Sequence, residues 1–281
     1  MWRAKYRMLA RSAAIKLIRP EVLEVGNEHR DIALTRFTQE AHATASMRSP
    51  HTIELYDFGV SAEGTFYYVM ELLDGVDLET LVQKCGPVPA ARAVHLLHQV
   101  CHSLAEAHEH GLIHRDIKPA NIYVCRYGRD LGFVKVLDFG LVKLGPDVDG
   151  NLTHLQLTAA HVFTWTPGYM APEQVLGGTE ADARTDLYAV GCAAFWLLTG
   201  RPVFEGSTVM ETVTQQARDE PPPPSCCTDL SIPTPWTPLS CGVSPSVQKT
   251  GHRAPTNWLA HWPMRVTCLR GQEPAPATGG T

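Results

Sequence analysis

Four short stretches of this chain hold side chains whose types and spacing suit chemistry on phosphate. The stretch "HRDIKPAN" at 114–121 sets Asp116, Lys118 and Asn121 two and three residues apart, and "LDFG" at 137–140 adds Asp138. Far upstream, Lys16 closes "AAIK", and Glu40 follows in a helically patterned stretch. Amide and carboxylate oxygens are hard donors that suit Mg²⁺, the cation that bridges phosphate oxygens. Lysines neutralise phosphate charge, and a positioned carboxylate orients a hydroxyl. Phosphoryl transfer needs these elements and little covalent chemistry from the protein. Any one Asp or Lys alone is an ordinary surface charge; it is the order of the set along one chain that argues for a site.

In order, "AAIK", Glu40, "HRDIKPAN", "LDFG" and "APE" at 171–173 resemble the signature set of protein kinases. "SPHTIELYDFG", "YYVMELLDG" and "TPGYMAPEQ" narrow the resemblance to the catalytic domain of bacterial Hanks-type (eukaryotic-like) Ser/Thr kinases, over about residues 2–224. The resemblance implies an α+β fold of two lobes, ATP and Mg²⁺ as cofactors, and protein Ser/Thr hydroxyls as acceptors. It also implies roles. Asp116 orients the acceptor hydroxyl and Lys118 lies beside the transferring phosphoryl. Asn121 and Asp138 ligate the metal, while Lys16 holds the α- and β-phosphates with Glu40 as its ion-pair partner. Met70, Glu71, Leu72 and Leu73 match the hinge whose backbone reads the adenine edge, and Asp77 matches a ribose contact. Lys118, two residues after Asp116, marks Ser/Thr rather than Tyr specificity, and Thr166 shapes the site just beyond the acceptor. Arg115 becomes the partner of a phosphate on Thr153, Thr158 or Thr164. The alternative function is a catalytically inactive kinase-like interaction module, which would need none of Lys16, Asp116, Asn121 and Asp138.

The elements that must position these residues are legible in the apolar pattern. "AAIKLI" and "TFYYVMELL" are rich in strand formers, and "ALTRFTQEAHATASM" between them is patterned as a helix. These predict a small β-rich lobe containing one helix. From Ala90 to His110, Val94, Leu97, Cys101, Leu104 and His108 recur at steps of three and four, which predicts an amphipathic helix. His95, His98 and His102 fall beside or opposite that stripe, where a solvated face belongs. "TDLYAVGCAAFWLLTG" is apolar on every side and predicts a helix buried in the centre of a helical second lobe. We therefore expect a partial N-terminal lobe over 1–72, a C-terminal lobe with catalytic loop and activation segment over 73–220, and a tail over 221–281.

The 281 residues suffice for one or two domains. Lys plus Arg number 24 against 29 Asp plus Glu, a net charge of −5 that offers no electrostatic footprint for nucleic acid. The longest apolar run, 187–198, falls short of the ~20 residues that span a bilayer. The cationic N-terminus has no apolar segment behind it to make a secretory signal. These features predict no nucleic-acid partner, no membrane segment in this chain and a cytoplasmic location. The eight cysteines form no CxxC pair and are read as reduced thiols.

Two departures from the family pattern stand out. A Gly-rich phosphate loop belongs some twenty residues before Lys16, where this chain has no room. Met1 stands where the family has Val, so we expect a start site placed too late in a longer gene, and weakened nucleotide binding. More than half of the 21 prolines lie after residue 220, where the family has two further helices. Codons read one base earlier over 236–252 permit "LDALVLRCLAKRPEDRP", the missing family segment. We expect a frameshift near 226–235, a disordered tail, and a Glu173 deprived of its Arg partner; the alternative is a genuine Pro-rich linker. Trp165, where the family has Gly, has no physical account.

Overall fold

A computed structural model of the chain describes residues 1–6, 11–18, 30–62, 64–139, 167–176 and 182–232. Its first lobe is an antiparallel sheet of β1 (Trp2–Tyr6), β2 (Arg11–Ile18), β3 (Leu55–Val60) and β4 (Phe66–Glu71), in the order β1-β2-β4-β3. Alternation along β4 buries Phe66, Tyr68 and Met70, and the pairing sets Lys16 of β2 opposite Tyr68. Helix α1 (Arg30–Ser46) closes that face: the Phe37 ring lies 4.7 Å from both Phe66 and Tyr68. Both predicted strands and the predicted helix are where the pattern put them.

After α1 the chain runs onto the second lobe. Ile53 N–H donates to Val136 O at 3.0 Å and Val136 N–H to His51 O at 2.8 Å. That lobe carries a sheet of β5 (Gly75–Asp77), β6 (Ile122–Tyr127) and β7 (Asp130–Val136), and the helices α2 (Leu78–Cys85) and α3 (Ala90–Glu109). The outer edge of β7 faces α3. The Gln99 amide accepts from Val134 N–H at 2.9 Å and donates to Gly132 O at 3.1 Å, while His51 Nδ1 donates to Val134 O at 3.0 Å. Glu106 of α3 accepts from the Arg48 and Ser49 N–H groups at 2.7 and 2.6 Å, tying the loop after α1 to the same helix.

The buried stripe of α3 differs from the expected one. Ala93, Leu96, Leu97, Val100, Cys101 and Leu104 are buried, but Val94 is 38% exposed. The helix packs against β7 and the central helix at once, so its buried arc centres on Val100. At about 100° per residue Val94 falls just beyond the end of that arc at Cys101. His95, His98 and His102 are exposed on the far side, as the wheel predicted.

Beyond it lie α4 (Pro172–Leu176), α5 (Ala183–Thr199) and α6 (Val209–Arg218). Helix α5 is the predicted central helix, buried on nearly every side, started by Asp182 as N-cap and stopped by Gly200 at φ 70°. The compositional boundary at 220 and the packing boundary do not coincide. Cys227 packs against the Tyr188–Cys192–Phe195 cluster and Ile232 against the main core. Residues 233–281, where most of the expected tail lies, fall outside the described residues.

Burial around α5 makes an alkaline prediction. It pushes the Cys192 thiol up from 9.0 to about 12, and raises the Tyr188 and Tyr169 hydroxyls above their ordinary 10.0. An unfolded chain ionises these groups at ordinary values, so their contribution to stability is complete below about pH 9 and is lost as pH climbs beyond it. The urea midpoint is expected to fall steadily above about pH 9, less steeply in Cys192→Ala. A midpoint flat to about pH 11 would contradict this.

Candidate active site

The site assembles on α5. Asp186, fully buried in its first turn, accepts from His114 N–H at 2.9 Å and Arg115 N–H at 2.8 Å, and from His108 Nε2 of α3 at 2.8 Å. Those bonds hold Arg115 at φ 65°, a left-handed conformation that costs a non-glycine residue about 1–3 kcal/mol. The turn carries the chain into Asp116.

From there a second network reaches β7. His114 Nε2 donates to Leu137 O at 2.7 Å, and Nδ1 accepts from Asp116 N–H at 3.3 Å. This arrangement requires the neutral Nε2–H tautomer, and it ties the segment holding Asp116 to the one holding Asp138. Lys118 Nζ lies 3.0 Å from Asp116 Oδ2. Asn121, on the 3₁₀ turn Pro119–Asn121, donates its Nδ2 to Asp116 O at 2.8 Å and to Asp116 Oδ2 at 2.9 Å. With the NH₂ so engaged, its Oδ1 is the atom left to face a cation. Leu137 N–H donates to Asn121 O at 2.9 Å, bringing Asp138, itself at φ 60°, beside Asn121. From the first lobe, Lys16 Nζ reaches Asp138 Oδ2 at 2.6 Å. Lys16, Asp116, Lys118, Asn121 and Asp138, scattered over 120 positions of sequence, thus belong to one bonded cluster.

A sequence-family model described as protein kinase domain matches residues 3–242. The chain belongs to the protein kinase family. This kinase domain is 36% identical over 225 residues to "Serine/threonine-protein kinase pkn3" of Myxococcus xanthus, covering 80% of this chain and 40% of that relative. It is 37% identical over 221 residues to "Serine/threonine-protein kinase PknB" of Mycolicibacterium smegmatis, covering 77% of this chain and 33% of the relative. The chain therefore spans between a third and two fifths of the length of these relatives. Among solved structures, Rad53 residues 1–466 in complex with AMP-PNP matches with a TM-score of 0.57 and 25% identity, over 76% of this chain and 48% of that one. The family and the two-lobe fold inferred from the motifs are the ones found.

Other expected site residues have mixed placements. Glu40 stands on α1, but its side chain lies outside the described residues, as do Thr153, Thr158, Thr164, Trp165 and Thr166. In the hinge segment Met70 is buried, Leu72 exposed and Leu73 half-buried. The Glu71 side chain ion-pairs with buried Lys135 of β7 at 2.6 Å and accepts from Glu54 N–H at 2.9 Å. Asp77, expected at the ribose, is the N-cap of α2, its oxygens accepting from Thr80 N–H at 2.7 Å and Thr80 O–H at 2.8 Å. Glu173 accepts from Thr185 O–H at 2.9 Å, a partner supplied from α5.

Sequence reasoning passed over Asp186, His108 and Lys135. For Asp186 a signal existed: a carboxylate in the first turn of an otherwise apolar, buried helix needs strong donors, because an uncompensated buried charge is costly.

Proposed function

We propose that this kinase domain transfers the γ-phosphoryl of ATP to Ser or Thr hydroxyls of protein substrates, in the cytoplasm and with Mg²⁺. The observation that carries the proposal is the Asp116 cluster: a partly exposed carboxylate, flanked by Lys118 and braced by Asn121, bonded through His114 to the segment of Asp138. A binding module has no use for that arrangement.

The donor set fits Mg²⁺: the Asp138 carboxylate and the Asn121 Oδ1 are hard oxygens on adjoining backbone segments. Asp138 and Asn121 would hold the ion, which would supply neutralisation of phosphate charge during transfer. Asp116 accepts the proton of the acceptor hydroxyl and aims its oxygen. Lys118, already within reach of Asp116, neutralises the phosphoryl that passes between the two groups. Lys16 holds the inner phosphates. The Ser/Thr assignment is supported by Lys118 at its position and by the named activity of the relatives.

Incubation of the chain with Mg²⁺ and γ-labelled ATP, alone and with a generic protein acceptor, tests this by phosphoamino-acid analysis. Phosphoserine or phosphothreonine is expected; phosphotyrosine alone, or no label above an Asp116→Asn control, overturns it.

The same reaction makes a regulatory prediction. A phosphate adds about −1.5 to −2 charges at neutral pH, and Arg115, beside Asp116, offers a bidentate partner. Autophosphorylation among Thr153, Thr158 and Thr164 is expected to raise activity. Mass spectrometry should find the loop phosphate, and a triple Ala variant should lose the rise; full activity without those hydroxyls would refute it.

A further inference from the structure

We infer that Cys226 and Cys227 form a dithiol site for trivalent arsenic, carried as an organic arsenoxide, and that capture draws Cys227 off the central helix α5. The inference is independent of the proposed phosphoryl transfer. This is the one place in the sequence where two cysteines adjoin, and both thiols are free. The backbone that presents them is fixed. In the 3₁₀ turn Pro224–Cys226, Cys226 N–H donates to Pro223 O at 3.0 Å and Cys227 N–H to Pro224 O at 2.9 Å, behind two prolines whose rings lock φ. Cys226 is exposed. Cys227, half-buried, packs against the cluster of Ala171, Tyr188, Cys192, Phe195 and Val203.

Three thiol chemistries compete for such a pair, and geometry separates them. A disulfide suits Cα atoms about 4.4–6.8 Å apart, whereas neighbours across a trans peptide stand about 3.8 Å apart, so an S–S bond here would distort the turn. Structural zinc takes four protein donors, and among the described residues no three His, Cys, Asp or Glu side chains converge as a metal site. Trivalent arsenic needs only two sulfurs and keeps its organic substituent as the third group. Two S–H bonds and the arsenic–oxygen bond break, two As–S bonds form, and the oxygen leaves as water with both protons. Arsenic stays trivalent, so no oxidant or reductant enters. The second As–S bond is intramolecular: once one sulfur is bound, its neighbour is held at high effective concentration. The pair therefore holds the arsenical more tightly than a single exposed thiol such as Cys85. One atom bridges two sulfurs only if the side chains converge. Cys226 lies on the side open to the reagent, so Cys227 is the one that moves, giving up its packing beside Cys192 and Phe195. An unfolded chain has no such packing to lose and binds the arsenical better, which makes the loaded protein less stable.

The test uses the full 281-residue chain, reduced, with phenylarsine oxide as the probe. Intact-mass spectrometry in excess glutathione should show one equivalent retained, at the mass of the reagent less one water, and 2,3-dimercaptopropanol should remove it. Cys226→Ser and Cys227→Ser should each weaken retention by roughly 10²-fold or more, whereas Cys85→Ser and the double variant Cys241→Ser with Cys268→Ser should bind like wild type. Cys227→Ala serves if the Ser variant does not fold. Excess Zn²⁺ should not displace the reagent. The melting temperature should fall on loading of wild type and stay unchanged in Cys226→Ser. No retention in wild type, full retention in either single variant at the pair, or loss of retention in the Cys241 and Cys268 double variant overturns the site. Displacement by Zn²⁺ overturns the choice of ligand. A melting temperature that holds or rises on loading of wild type overturns the movement of Cys227.

Discussion

Asp116→Asn is expected to cost about 10²- to 10⁴-fold in phosphoryl transfer, the usual contribution of a positioned acid–base group, while leaving ATP binding nearly unchanged. The asymmetry follows from the geometry. Among the described residues, Asp116 bonds to Lys118, Asn121 and His114 and to nothing in the first lobe that would hold a nucleotide. An amide in its place keeps the size and can still accept from Asn121, but it takes no proton from a hydroxyl. The measurement pairs single-turnover transfer rates with ATP affinity by equilibrium dialysis. Transfer close to wild type would remove Asp116 from the role assigned to it. A parallel loss of ATP affinity would mean that the substitution had disturbed the shared network rather than the proton transfer.

Asp138→Ala should fail differently, losing the metal dependence of nucleotide binding as well as the reaction. It removes the charged half of the proposed donor set and breaks the Lys16 ion pair with Asp138. A ligand that binds only the folded protein stabilises it by about 2.7 kcal/mol at a hundredfold excess over Kd, or roughly 5–10 °C in melting temperature for a domain of this size. Wild type should show a larger shift with Mg²⁺ and ATP together than with ATP alone; in Asp138→Ala the two should coincide. Persistence of the Mg²⁺ increment in the variant would move the metal to other residues.

The residues proposed for the chemistry were legible because their types are dictated locally. Lys118 and Asn121 stand at fixed short distances from Asp116, and no neighbour in space is needed to notice them. The two lobes were legible for a related reason: burial on one face of β4, or on all faces of α5, writes its period into the chain. What escaped is decided by convergence. Asp186 lies 70 residues from Asp116 in sequence and acts on backbone N–H groups, which every residue except proline carries, so no side-chain motif announces the contact. Lys135 and Glu71 are each unremarkable charges until β7 and the end of β4 bring them within 2.6 Å. Val94 failed for a subtler reason: spacing specifies that a stripe exists, whereas its centre depends on which two elements flank the helix. Asp77 shows the converse. Its capping role, visible as Asp followed three residues later by Thr, is local and could have been read beside the ligand contact carried by the resemblance.

The side chains that cover the rim of β7 bear on how the protein behaves in a crowded solution. A strand with one neighbour offers a row of unpaired N–H and C=O groups to any extended peptide it meets, and such rows seed intermolecular sheets. Gln99 mimics a passing strand, occupying the Val134 donor and the Gly132 acceptor two residues apart, and His51 occupies the Val134 acceptor. The helix thereby lends its amide to the sheet as a stopper. A chain lacking that amide would keep its buried apolar packing and expose a short template for self-association, so its failure would first be seen as loss of soluble protein at high concentration.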